Sequence, residues 1–140
     1  GLAIAGAACG GDILFHECCR QLGIQSRIVL ADEVEIFLES SVRYAGQDWV
    51  ERYHALIAEL PMDIIRIDAQ DPPGMNLFSK TNHQMIRIAT SWESGAAFLL
   101  VLIDENQLGQ QGGTYEMMEV AGKAGLKIEK IDLSLINNVV

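Results

Sequence analysis

The chain has 140 residues, of which 49% are hydrophobic and 21% charged, and its formal net charge is −9. This length and composition indicate one globular domain with its own core and exclude a disordered chain, while every apolar run is too short for a membrane helix. The scattered basic residues argue against a nucleic acid polymer as partner, although backbone amides at a helix start still allow a small phosphorylated ligand.

The spacing of apolar residues predicts strands and helices in alternation. In chain order we expect strand 2–8, helix 12–22, strand 27–31, helices 34–44 and 47–59, strand 62–68, helix 79–92, strand 96–104, helix 114–124 and strand 126–133. Glycine or proline follows most of the helices, as is typical of helix ends. Residues 105–113 form a polar loop, and residues 134–140 are interpreted as a tail.

This alternation predicts an α/β fold, a three-layer Rossmann-like domain with a mainly parallel sheet of about five strands. One domain is expected over residues 1–133. Strand 96–104 is apolar on both faces, which favours the centre of the sheet. The chain opens almost directly on a strand, so we also expect it to be a piece cut from a longer protein.

Two glycine-rich loops each lead from a strand into a helix, over residues 6–12 (GAACGGD) and 109–114 (GQQGGT). Strand-to-helix loops of a parallel sheet leave from one edge, so both loops are predicted to form a cradle for phosphate or ribose phosphate. Asp32, about 20 residues past the first loop, is placed to bind ribose hydroxyls. The predicted ligand-binding residues are Gly10, Gly11, Asp12, Asp32, Asn82, Gly112, Gly113, Thr114 and Glu116.

Structural interpretations stand beside these assignments. A glycine turn before a helix is common in proteins that bind nothing there, Asp12 fits a helix cap, and Asp32 fits a run of acids that favours a helix start. Thr114 is a natural cap whose hydroxyl could also turn to a ligand. His83, next to Asn82 near the start of helix 79–92, could reach the same edge, although a histidine that faces solvent is favoured.

The three cysteines are an odd number, which argues against a disulfide framework and for the reducing cytoplasm. Cys9 precedes a helix start, where a thiolate is stabilised, but the sequence places no histidine as its partner, and packing is favoured. A zinc site of Cys9, His16 and Cys19 matches no standard spacing. The sequence therefore predicts no metal and no cofactor.

The stretch GAACGGDILFHEC resembles the G-x-x-x-G-x-D-x-L-x-x-E signature of the SLOG superfamily, Rossmann-like domains related to the lysine-decarboxylase-like LOG proteins. QQGGTYEMMEVAGKAG is similar to the second glycine motif of that group, and DWVERYHALI and KTNHQMIRIA resemble intervening helices of its bacterial signalling members. The resemblance implies a domain that senses a nucleotide-derived ligand or cleaves an N-glycosidic bond. The enzymatic motif P-G-G-x-G-T-x-x-E places Met117 where glutamate is required, and no proline precedes the loop.

We therefore expect a non-catalytic sensor module for a small nucleotide-like ligand, with fused effector domains or a second copy of the chain as partner. The first alternative is an enzyme that hydrolyses nucleoside monophosphates with Glu116 as its carboxylate, although Glu116 is one residue from the required position. The second alternative is a structural α/β interaction domain with a vestigial site.

Overall fold

The computed structural model of the chain describes residues 1–92, 96–104 and 113–136. The chain divides into two compact units, Gly1–Pro72 and Pro73–Val140. Each unit contains parallel strands connected through helices, which confirms the predicted α/β class. The described strands pair as two sheets, of three and two strands, where the sequence predicted a single sheet of about five.

The first unit holds a parallel sheet in the order β1-β2-β3. Its elements are β1 (Leu2–Ala5), α1 (Gly11–Gln21), β2 (Gln25–Ala31), α2 (Val34–Ser41), a 3-10 helix (Arg43–Ala45), α3 (Gln47–Glu59) and β3 (Met62–Ile65). The central strand β2 supplies Ile28, Val29 and Leu30, all fully buried, and they form the middle of the core. A short, continuously apolar run is the pattern of a parallel strand that is covered on both faces.

Helices α1 and α3 are tied together by Arg52, whose Nε donates to Glu17 Oε1 at 2.9 Å. The Arg52 guanidinium also lies 4.1 Å from the centre of the Trp49 ring, a cation–π contact. Tyr53, on the same helix, is fully buried, and its hydroxyl donates to the Val34 carbonyl at 2.8 Å. These contacts orient α3 against α1 and the start of α2.

The second unit contains α4 (Leu77–Ser91), β4 (Phe98–Ile103), α5 (Thr114–Lys123), β5 (Lys127–Asp132) and α6 (Leu133–Ile136). Asn76 caps α4, because its side chain accepts from the Ser79 N–H at 3.1 Å. Strands β4 and β5 are parallel and aligned from Phe98 opposite Lys127 to Ile103 opposite Asp132. Helix α5 connects them and contacts both strands as well as α4.

The predicted central position of strand 96–104 is wrong for the described strands, because β4 pairs with β5 alone. Its side chains alternate: Val101 and Ile103 are buried, whereas Phe98, Leu100 and Leu102 are exposed. Successive side chains of a strand point to opposite faces, so covering one face alone makes buried and exposed residues alternate. An apolar run on both faces was therefore no evidence of a central strand here.

Most predicted boundaries agree with the structure to within two residues, and α3 agrees at both ends. Two strands end three residues early. Strand β3 stops at Ile65 because Asp68 and Asp71 close a turn, in which the Asp68 N–H donates to Asp71 Oδ2 at 2.7 Å. Strand β1 stops at Ala5, where the first glycine loop begins. None of the helices described is long and apolar enough to cross a membrane.

Candidate functional site

The first glycine loop, residues 6–12, carries the chain from β1 into α1. Gly10 caps the helix with φ 94° and forms no side-chain cap hydrogen bond, because it has no side chain. Residues other than glycine rarely adopt this left-handed backbone, so the turn requires glycine at position 10. Helix α1 consequently begins without a polar side chain over its first N–H groups.

Asp12 lies in the first turn of α1 and folds back over the loop. Its Oδ2 accepts the Ala8 N–H at 3.1 Å, so the carboxylate braces the loop and the predicted helix cap at Asp12 is wrong. A Cβ at Gly6 would lie 2.7 Å from the same Oδ2, which explains why glycine precedes this contact. Burial raises the pKa of Asp12, and the Ala8 hydrogen bond and the nearby His16 partly offset that rise.

His16 fixes the start of the loop from one turn further along α1. The ring is 1% exposed; its Nε2 lies 2.9 Å from the Gly6 carbonyl oxygen and its Nδ1 lies 3.0 Å from Ser26 Oγ. A carbonyl only accepts, so Nε2 carries the proton and the Ser26 hydroxyl donates to Nδ1. Burial lowers the pKa of His16, which keeps the ring neutral.

From the sequence, His16 was considered only as a zinc ligand, and its role in holding the glycine loop was not predicted. Its spacing gave a usable signal, since His16 follows Asp12 by four residues and therefore lies on the same face of α1. The two side chains hold the loop from that face, Asp12 through Ala8 and His16 through Gly6.

Cys9 joins the loop to the end of α2. Its N–H donates to the Ser41 carbonyl at 3.1 Å, and its Sγ lies 3.1 Å from Tyr44 Oη. Hydrogen bonding to Cys9 raises the pKa of Tyr44, and the three cysteines of the chain are free thiols. These contacts are consistent with a packing role for Cys9, as the sequence favoured.

The N–H groups of Ala8 and Cys9 therefore already donate to Asp12 and to Ser41, whereas those at the start of α1 are left for another acceptor. The N–H groups of Gly11, Asp12 and Ile13 have no acceptor within the helix, because the first turn of a helix never provides one. They lie at the positive end of the helix dipole, those of Gly11 and Asp12 in half-buried residues and that of Ile13 in a fully buried one. This arrangement of a glycine cap and uncapped amides suits an anion.

Asp32 follows β2, whose carboxyl end lies beside that of β1 in the parallel sheet. Its backbone is left-handed, with φ 86°, and no other non-glycine residue among those described has a positive φ. Its N–H donates to the Ile65 carbonyl at 2.9 Å, and its Oδ1 accepts the Glu33 N–H at 2.8 Å. Strained backbone of this kind costs about 1–3 kcal/mol and is found most often at functional sites.

Three of the remaining predicted residues begin α5 in the second unit, and Gly112 lies outside the described residues. Gly113, in extended backbone, is the cap of α5, so the predicted cap at Thr114 is wrong and Thr114 is instead the first helical residue. Thr114 is exposed. Glu116 is half-buried in the first turn, with Oε1 shielded from solvent, whereas Glu119 is exposed and pairs with Lys123 at 2.9 Å.

Asn82 lies on α4, which contacts α5. The residue is only 7% exposed, and its Nδ2 has no hydrogen-bond partner among the described residues. A buried amide without an acceptor costs about 1–3 kcal/mol.

The structure groups the predicted residues by unit: Gly10, Gly11, Asp12 and Asp32 belong to the first, and Asn82, Gly113, Thr114 and Glu116 to the second. In the second unit, one cavity of about 290 Å³ lies along the end of α4 and another of about 380 Å³ lies at the start of β4 and β5, and neither is lined by a predicted residue. Within the described ranges, no cluster of three or more His, Cys, Asp or Glu side chains is arranged to hold a metal.

Comparison with known protein families, curated proteins and solved structures found no match to this chain.

Proposed function

We propose that the chain is a binding module for a small nucleotide-derived ligand, and that the ligand's phosphate binds the amino end of α1. The observation that carries the proposal is the bare helix start: Gly10 provides no side-chain cap, and the carboxylate of Asp12 is held by Ala8 instead of by the first helical N–H groups. A phosphate oxygen supplies the acceptors that these groups lack.

The bracing of the loop supports the same proposal. A site for a small anion gains affinity when its donors are already positioned, because no ordering free energy is then lost on binding. His16 and Asp12 position the loop from the helix side, and Cys9 positions it from the α2 side. The strained Asp32, at the carboxyl edge of the same sheet, is the proposed partner of the ribose hydroxyls.

The proposal includes the assignment to the SLOG superfamily and its three-layer Rossmann-like arrangement, with Asn82, Gly112, Gly113, Thr114 and Glu116 as further ligand-binding residues. Parallel strands joined through helices in both units support the arrangement. The unsatisfied amide of Asn82 supports its inclusion. A cytoplasmic sensor that passes the bound state to a fused domain or a second copy is the proposed role.

The alternative is hydrolysis of a nucleoside monophosphate by Glu116. The half-buried position of this carboxylate in the first turn of α5 favours it over the exposed Glu119, which is already paired with Lys123. Incubating the chain with nucleoside monophosphates and measuring free base by chromatography tests the alternative. Release of base that Glu116→Gln abolishes would establish an enzyme in place of a sensor.

The experiment that tests the binding proposal compares Cys9→Asp with Cys9→Asn in a thermal-shift screen of nucleoside mono-, di- and cyclic phosphates. Position 9 immediately precedes the cap, and its side chain lies beside Tyr44 at the edge of the same loop, so Asp adds a negative charge to the loop while Asn has the same shape without charge. Two like charges about 5–8 Å apart repel by about 1–3 kcal/mol near a protein surface, which weakens binding roughly 5- to 150-fold.

We expect the wild type and Cys9→Asn to be stabilised by the same nucleotide and Cys9→Asp to lose most of that stabilisation. A ligand at 100 times its Kd adds about 2.7 kcal/mol, which is readily measured. A nucleotide that stabilises Cys9→Asp as much as Cys9→Asn would contradict the placement of the phosphate at α1. No stabilisation of the wild type by any phosphate compound would leave a structural domain.

A further inference from the structure

One face of the β4–β5 sheet is apolar and exposed. Its residues, called here the outer face, are Phe98, Leu100 and Leu102 on β4 and Lys127, Glu129 and Ile131 on β5, and the register sets them opposite each other in three pairs. We propose that the outer face is a homodimer interface, on which a second copy of the chain packs its own outer face about a two-fold axis.

The exposed apolar residues all lie on the same face of the sheet, so the whole face is exposed and not one side chain alone. Phe98 is 63% exposed, Leu100 43% and Leu102 37%, whereas Val101 and Ile103 of the same strand are buried. Ile131 on β5 is 42% exposed. A β-sheet with an apolar face normally buries that face against another layer, and the described residues of the second unit provide no such layer on this side.

The exposed area of the outer face reaches what a dimer needs. Its six side chains expose roughly 600 Å² per copy, so that two copies would bury about 1,200 Å² together, the lower limit of standard protein interfaces. Two sheets that pack face to face keep their strands nearly aligned and interdigitate their side chains. A single partner peptide would cover only part of this area.

The charges on the outer face complement one another under two-fold symmetry. Lys127 and Glu129 lie on one strand, and within a copy their side chains pair at 2.5 Å. Under two-fold symmetry, a contact between two different residues of the two copies occurs twice. Lys127 of each copy can therefore pair with Glu129 of the other copy. The strand thus carries both members of a self-complementary ion pair.

A groove at the amino end of the outer face adds a pocket for an anchor side chain. It measures about 380 Å³ and is lined by Ala96, Ala97, Phe98, Lys127 and Glu129. Ala96, Ala97 and Phe98 form its apolar wall and Lys127 and Glu129 its charged wall, and aromatic rings are among the groups that fill such pockets in stable interfaces. Phe98, the most exposed apolar residue of the face, supplies that ring from the second copy.

Sedimentation equilibrium of the full chain up to about 100 μM tests the proposal, since a dimer with a micromolar Kd is almost fully formed at that concentration. We expect a wild-type dimer, a monomer for Leu100→Glu, and an unchanged dimer for Leu22→Glu. Leu22 is 74% exposed in the first unit and provides a matched control for adding a charge to an exposed leucine. Far-UV circular dichroism verifies that each variant is folded.

A second pair of variants keeps the test decisive if Leu100→Glu fails to fold. Lys127→Glu and Glu129→Lys should each weaken the dimer about fivefold or more, because each lost ion pair occurs twice. An equimolar mixture should restore association, since the carboxylate introduced at position 127 of one chain then faces the amine introduced at position 129 of the other. A wild-type chain that is monomeric at all concentrations overturns the proposal. So does a dimer that these substitutions leave unchanged, which would place the interface elsewhere.

Discussion

Replacing Gly6 by alanine gives a direct test of how the first glycine loop is held. The new Cβ would lie 2.7 Å from the side-chain atom Asp12 Oδ2, and the nearest backbone atom to it is the Val29 carbonyl oxygen at 3.9 Å. The methyl group therefore has room everywhere except against the carboxylate. Asp12 must move, and its hydrogen bond from the Ala8 N–H, 3.1 Å long, is lost or weakened.

The size of the effect follows from that geometry. A hydrogen bond to a charged group contributes about 1.5–3 kcal/mol, and forcing a side chain away from its preferred rotamer costs about 1 kcal/mol more. We expect Gly6→Ala to lower the free energy of unfolding by about 2–4 kcal/mol. Asp12→Ala should cost about 1–2 kcal/mol, because it leaves the Ala8 N–H unpaired but also removes a carboxylate whose pKa is raised by burial.

Urea denaturation of the wild type, both single variants and the double variant measures the coupling. Once Asp12 is alanine, the methyl group at position 6 meets no carboxylate, so the double variant should be about as stable as Asp12→Ala alone. The expected coupling is about 2 kcal/mol or more. Additivity of the two single effects to within about 0.5 kcal/mol would refute the claim that Gly6 is required by Asp12.

Three further predictions concern the same unit. The pKa of His16 is lowered from 6.5, so below pH 6.5 the unfolded chain binds a proton that the folded chain does not. The free energy of unfolding should therefore fall below pH 6.5 by up to about 1.4 kcal/mol per pH unit, and His16→Gln should flatten this dependence in urea titrations. Tyr53→Phe removes the donor to the Val34 carbonyl and should cost about 1–2 kcal/mol, read from the same denaturation curves. Asp32→Gly relieves left-handed backbone and should raise the free energy of unfolding by up to about 1 kcal/mol. Under the proposed function, calorimetry should also show weaker nucleotide binding for Asp32→Gly and for the backbone-neutral control Asp32→Asn. Unchanged affinity in both would remove Asp32 from the site.

Local signals in the sequence were sufficient for most of the fold. Helix 47–59 lies between Gly46 and Pro61, and these two residues set its limits without help from tertiary contacts. The glycine turn at residues 10–11 and the helix after it were predictable for the same reason. Side-chain interactions with the backbone accompany the two strands that end early: Asp68 and Asp71 close the turn after β3, and Asp12 accepts the Ala8 N–H after β1.

The starts of the two helices α1 and α5 were predictable from the sequence, and the roles of the residues at those starts were less so. Asp12 and Thr114 had the residue types of helix caps, but glycines occupy both cap positions. The role of His16 depends on Ser26, ten residues away on the neighbouring strand, and on the Gly6 carbonyl. Such pairings depend on how α1 lies on the sheet, which periodicity alone does not specify.

The most direct measurement of the central claim is the amide NMR spectrum of the chain titrated with a nucleoside monophosphate and, separately, with inorganic phosphate. If the phosphate binds the start of α1, the amide signals of Gly10, Gly11, Asp12 and Ile13 move in both titrations, and those of helix α3, which contributes no predicted ligand-binding residue, do not. Saturating shifts confined to other parts of the chain, or none at all, would contradict the account.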